Sequence, residues 1–217
     1  MNDAMKHYLE GLLPVRNQHF KQLEKFAKEH RVPIMEPTGI ESMLLMMKMQ
    51  SPKRILEIGT AIGYSALRMA DALPEAKVIT LELDEERVEQ ALTNINNAGM
   101  DERIKVITGD ALELYDETAA QGPYDAIFID AAKGQYIKFF EMYSELLTEQ
   151  GCVYTDNVLF KGLVTEDSIT NKRLSGLVNK IKTYNRWLMD HNGFDTVILP
   201  VGDGLAVSRK RSGVSNE

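Results

Sequence analysis

The sequence predicts an α/β fold: a mostly parallel, doubly wound sheet with helices on both faces. Two patterns carry this expectation. From residue 54 onward, short β-branched runs alternate with longer amphipathic stretches, the signature of βαβ units. The chain then closes on two short runs joined by Pro200-Val201-Gly202-Asp203-Gly204, which read as a β-hairpin. Composition agrees: the 217 residues are 44% hydrophobic, 26% charged and 7% aromatic, which excludes disorder and collagen-like structure.

Three helices are expected first, at about 2–12, 16–30 and 38–49. Met43, Met46, Met47 and Met49 on the third read as gap-filling core rather than a cofactor box. Five parallel strands follow, at Arg54 to Ile58, Lys77 to Leu81, Ile104 to Thr108, Asp125 to Ile129 and Cys152 to Thr155. Helices between them are expected at about 64–73, 84–98, 111–119 and 135–147. The second of these keeps Val88, Ala91, Leu92 and Ile95 on one face. A last helix carries Leu174, Leu177, Val178, Ile181, Tyr184 and Leu188, and the hairpin strands Thr196 to Leu199 and Leu205 to Ser208 bring the total to seven. The expectation is one domain: a helical cap over 1–50, an α/β core over 51–211 and a flexible tail over 212–217.

No apolar stretch approaches the roughly 20 residues that cross a bilayer. Asp3, Lys6, Glu10 and Arg16 stand where a signal peptide would be apolar. A cytoplasmic protein with no membrane partner is expected. Cys152, the single cysteine, can form neither an internal disulfide nor a cysteine metal cage and reads as a buried strand thiol. The net charge of −7 hides an asymmetry. Residues 54–160 hold eight basic side chains against twenty acidic ones, whereas 1–53 hold eight against six and 161–191 hold six against three.

Strand one leads into Glu57-Ile58-Gly59-Thr60-Ala61-Ile62-Gly63-Tyr64-Ser65. This lacks both the G-x-G-x-x-G that admits a pyrophosphate and the Gly-Lys-Ser/Thr of a P-loop. Ligands of such sheets sit at the carboxyl ends of the strands, so a ligand here would meet Glu57, a carboxylate that favours a cation. Glu82 ends strand two, where it can accept from ribose hydroxyls. Asp110, in Gly109-Asp110-Ala111 after strand three, is placed for an adenine amino group. Adenosine with a positively charged, phosphate-free appendage is S-adenosylmethionine.

Strand four ends at Asp130 and strand five at Asp156-Asn157. Neighbouring strands would bring these three oxygen donors into one small volume. Two close carboxylates want a cation between them, and an all-oxygen set suits Mg²⁺ or Mn²⁺ rather than Zn²⁺. The alternative is that Asp156-Asn157 only caps a loop. Lys133 would lie between this ion and the sulfonium, where like charge favours a neutral amine and a general-base role; the alternative is a solvated surface lysine. The four histidines, His7, His19, His30 and His191, read as surface or packing residues.

Glu57 to Ser65, Glu82, Asp125 to Lys133 and Thr155 to Val158 together resemble the catechol-O-methyltransferase-like branch of the class I methyltransferases, over about residues 35–208. The resemblance implies a Rossmann-like seven-stranded sheet in the order 3-2-1-4-5-7-6 with the last strand antiparallel. It implies S-adenosylmethionine held by Met35, Glu57, Gly59, Gly63, Ser65, Glu82, Asp110, Ala111 and Asp130, with Ser65 on the donor's carboxylate. It further implies Mg²⁺ on Asp130, Asp156 and Asn157, Lys133 and Asp130 as the catalytic pair, and a homodimer. Ala131 and Ala132 depart from the bulkier residues of catechol enzymes, which suggests a wider pocket.

Within the branch, Val32 to Pro37, Ile129 to Tyr136, Asp156 to Gly162 and Pro200 to Leu205 look most like the bacterial enzymes that methylate tRNA 5-hydroxyuridine. That likeness implies an anticodon-loop partner and 5-methoxyuridine as product. O5 and O4 of that base form a vicinal oxygen pair like that of a catechol. The net-positive segments would then form a rim for phosphates, led by Lys161 with Lys172, Arg173, Lys180, Lys182 and Arg186 behind it. Two other readings stay open: O-methylation of small catechols or polyphenols, and a non-catalytic module that binds S-adenosylmethionine.

Overall fold

The structure, a computed structural model, describes residues 3–213. Three helices lead: α1 (Asp3–Leu12), α2 (Gln18–His30) and α3 (Pro37–Gln50). Asn17 caps α2 by accepting the Phe20 amide, and Pro37 starts α3 where a missing N–H costs nothing. The alternating part then follows as β1 (Arg54–Ile58), α4 (Tyr64–Ala72), β2 (Lys77–Glu82), α5 (Glu85–Asn97), β3 (Ile104–Thr108), α6 (Tyr115–Ala119), β4 (Tyr124–Ile129), α7 (Tyr136–Ser144), β5 (Leu147–Thr155), α8 (Lys172–Met189), β6 (Phe194–Leu199) and β7 (Leu205–Lys210).

The seven strands form one sheet in the order β3-β2-β1-β4-β5-β7-β6. β1 to β5 pair in parallel, while β7 runs antiparallel to both β5 and β6. This is the class I methyltransferase fold. Because helices cover both faces, the central strands are buried on both sides: Ile55, Leu56, Ile127 and Phe128 are all fully enclosed. Ile55, Phe128 and Tyr154 share a cluster with Phe20, Met43 and Met47 of the leading helices. Leu56, Ile127 and Val153 pack on the other side with Phe139, Phe140 and Tyr184.

Four expectations need correction. Leu92 and Met49 are not core residues but are 42% and 80% exposed, since the apolar stripe of each helix is narrower than its spacing suggested. The helix expected over 111–119 is only α6, because Asp110 accepts the Leu112 amide at 2.9 Å and turns the chain for residues 111–114. The helix expected to reach residue 147 stops at Ser144. β5 starts at Leu147, five residues before Cys152, with a bulge between the Tyr124–Leu147 and Ala126–Cys152 pairs. Cys152 is a buried strand thiol as expected, and burial pushes its titration upward. Residues 214–217 of the expected tail lie outside the described residues, and no described helix is long and apolar enough to cross a membrane.

Candidate active site

β1, β2, β3, β4 and β5 end on the same edge of the sheet, and a cavity of about 510 Å³ opens there. Gly59, Ser65, Glu82, Asp110, Ala111, Asp130, Lys133, Asn157 and Met35 all stand in its wall. The turn after β1 can come this close because Gly59 has φ 102°, and a Cβ there would lie 2.9 Å from the Asp130 carbonyl carbon. Gly63 is not in the wall; it caps α4 and lies against Ala91.

Glu82 is fixed by three backbone N–H groups, from Ala61 at 2.8 Å and from Leu83 and Asp84 at 3.0 Å each. Asp110, held by its own turn, faces the same cavity. Glu57 is a different matter. It is absent from the wall and fully buried beneath the turn, where it accepts from Ser65 Oγ and, at 2.5 Å, from Thr80 Oγ1. Burial pushes its carboxyl up to about 8, with Asp130 and Glu82 adding to the rise and the two hydroxyls opposing it. The Ser65 hydroxyl, expected on the donor's carboxylate, gives its hydrogen to Glu57.

At the other end, parallel pairing of Ile129 with Thr155 brings Asp130 and Asp156 side by side. Asp156 is 1% exposed, its Oδ2 accepts from the Asn157 amide, and its Oδ1 is buried with no hydrogen-bond partner. Burial, reinforced by Asp130, holds the Asp156 carboxyl well above the usual carboxylate range. Asp130 is also raised by burial, Lys133 opposing and Asp203 reinforcing the shift. Among the described residues no group of three or more His, Cys, Asp and Glu is arranged as a metal cage, and the expected set has only two acids. A divalent cation nevertheless fits these residues: an orphaned buried carboxylate oxygen and a second carboxylate close enough to repel it want positive charge, and hard oxygen donors select a hard ion.

Lys133 opens a short 3₁₀ turn, Lys133–Gln135, and its amine lies 5.7 Å from the centre of the Phe160 ring. Tyr136 closes the cluster from below, its hydroxyl donating to the Asp156 carbonyl oxygen at 3.1 Å. Asp203 reaches the same cluster from the β6–β7 turn. Phe160, Tyr136 and Asp203 were not expected at the site. All three stand inside stretches noted for the family resemblance, and Asp203 also within the hairpin turn, but none was given a role of its own.

Comparison with known proteins accords with this geometry. Residues 14–211 match the model of a family described as O-methyltransferase. A caffeoyl-CoA O-methyltransferase of Stellaria longipes is 32% identical over 209 residues, covering 92% of this chain and 86% of that protein. A catechol O-methyltransferase of Niastella koreensis is 30% identical over 216 residues, covering 95% and 96%. A solved structure from Staphylococcus aureus, provisionally named a caffeoyl-CoA O-methyltransferase, shares 38% identity with a TM-score of 0.91 over 96% of this chain and 100% of that one. An O-methyltransferase from Bacillus cereus, solved in complex with SAH (S-adenosylhomocysteine), shares 26% identity with a TM-score of 0.82 over 96% and 97%.

Proposed function

The chain belongs to the S-adenosylmethionine-dependent O-methyltransferase family, and from that premise we propose that it methylates the 5-hydroxyl of 5-hydroxyuridine at the tRNA wobble position, giving 5-methoxyuridine. The observation that carries the reading is the charge at the acceptor end of the cavity. Lys161 is exposed beside the cluster, and Lys180 of α8 reaches over Gly134, next to Lys133. Lys172 and Arg173 are also exposed, at the start of α8. Phosphates of a single-stranded loop suit such a rim, and an unpaired base can enter a pocket without melting a duplex. Lys182 plays a different part: its amine donates to the Glu166 carbonyl oxygen at 2.9 Å and ties the preceding segment to α8.

Within this reading Glu82 and Asp110 orient the adenosyl part of the donor, and the close turn at Gly59 lets the sulfonium lie beside Asp130. Lys133 Nζ takes the proton of the acceptor hydroxyl, and the freed oxygen attacks the donor methyl in line as the sulfur–methyl bond breaks and S-adenosylhomocysteine leaves. Asp130, Asp156 and Asn157 would hold the divalent cation, Mg²⁺ or Mn²⁺, whose charge would lower the cost of deprotonating that hydroxyl. We also propose the homodimer, which sedimentation equilibrium tests.

A second reading, methylation of small catechols or polyphenols, is favoured by the names of the caffeoyl-CoA and catechol relatives. Labelled donor with Mg²⁺, offered 5-hydroxyuridine-containing tRNA, unmodified tRNA and a catechol panel, separates the two. The proposal expects label in the hydroxylated tRNA alone or in strong preference. Equal labelling of free catechols with none in that tRNA would establish the second reading.

A further inference from the structure

We propose that Asp203 is a positioning residue: through the Lys161 amide it holds the strained segment 157–162, keeping Asn157 in the cavity wall and Phe160 against the Lys133 amine. Asn157, Phe160 and Lys161 have φ of 63°, 45° and 55°, and Gly162 has φ of 79°. Side chains other than glycine rarely occupy this left-handed region, and several in so short a stretch persist only where the surroundings dictate them.

The β6–β7 turn is what dictates them. Asp203 Oδ1 accepts the Lys161 amide, the Asp203 carbonyl accepts the Leu159 amide at 3.0 Å, and the Gly204 carbonyl accepts the Val158 amide at 3.1 Å. Gly204, at φ 92°, permits the approach, since a Cβ there would lie 2.6 Å from the Leu159 nitrogen. The turn is itself anchored on its far side, where the Gly202 amide meets Thr38 Oγ1 at 3.3 Å. Of the three bonds from the turn to segment 157–162 only one uses a side chain, and it acts at the residue between Phe160 and Gly162. The carboxylate therefore sets the acceptor side without touching the donor pocket. Asp203 is only half-buried, so its loss leaves the core intact.

The inference rests on methyl transfer by this chain and not on which acceptor is used. Its test compares wild type, Asp203→Ala and Asp203→Asn, the last retaining an acceptor oxygen. Three quantities are read: deuterium exchange over 158–165 with SAH bound, SAH affinity by calorimetry, and steady-state transfer to 5-hydroxyuridine-containing tRNA and to catechol. Asp203→Ala is expected to speed exchange in that segment and raise the acceptor KM about tenfold or more, with SAH affinity unchanged and Asp203→Asn restoring both. Wild-type exchange and acceptor KM in Asp203→Ala would overturn the proposal. So would a parallel loss of SAH affinity and of protection throughout the sheet, or an Asn variant as impaired as Ala. If wild type methylates neither acceptor, the substrate reading falls, while exchange and its rescue by Asn still decide the role of Asp203.

Discussion

Glu57 makes the native state hold a proton that the unfolded chain gives up. Its carboxyl titrates near 8 when folded against an ordinary 4.5, so between these values the native state binds more protons. Stability contributed by this proton is full below about 4.5, declines as pH rises and is gone above about 8. Glu57→Gln, which cannot titrate, should therefore gain on wild type across that interval. Urea unfolding of both ligand-free proteins from pH 5 to 8.5 checks it; curves that run parallel would contradict it. Glu82 and Asp110 were legible as acids at the cavity edge because a strand end has a predictable place in a doubly wound sheet. The depth of Glu57 was not legible: the side chain before the turn lies buried under the loop, and only its bonds with Ser65 and Thr80 reveal it.

Among the elements, α4 matters most, since it carries Ser65 into the cavity wall and is tied to the leading helices by buried charge. Arg68 donates to Tyr64 Oη at 3.0 Å and to Glu41 of α3 at 2.6 Å, Tyr64 donates to Glu24 of α2 at 2.7 Å, and the guanidinium lies 5.1 Å from the Phe20 ring centre. Removing Arg68 leaves the buried Tyr64 hydroxyl and the half-buried Glu41 carboxylate without their cation. Arg68→Ala should cost about 3 kcal/mol of unfolding free energy, read by chemical denaturation; a loss below about 1 kcal/mol would place the network with ordinary surface ion pairs. The strands were legible because β-branched runs at regular intervals leave few alternatives, and β1 and β3 keep the expected limits. The start of β5 and the length of α6 were not, since a bulge and a side-chain-capped turn override local periodicity.

Taken whole, the molecule carries an acidic middle flanked by basic segments, and the fold brings part of the second basic segment to the acceptor end of the cavity. If that rim serves RNA, Lys161→Glu combined with Lys180→Glu should lower kcat/KM for hydroxylated tRNA at least tenfold. It should also reduce the steepness of log affinity against log salt by about two, leaving any catechol turnover unchanged. Equal loss on both acceptors would remove the rim from RNA recognition. Strand order, and with it the meeting of Asp130 with Asp156, was legible from topology and family likeness. The Asp203–Lys161 bond was not, because it joins residues 42 apart across a turn and a loop that local patterns do not place. In the proposed reaction the cavity divides into a donor half and an acidic half that work independently. Calorimetric titration of wild type and Asp156→Ala with SAH and with Mn²⁺ tests that division most directly. The division predicts SAH affinity within about threefold of wild type and no Mn²⁺ binding in the variant; loss of both ligands, or retention of Mn²⁺, would contradict it.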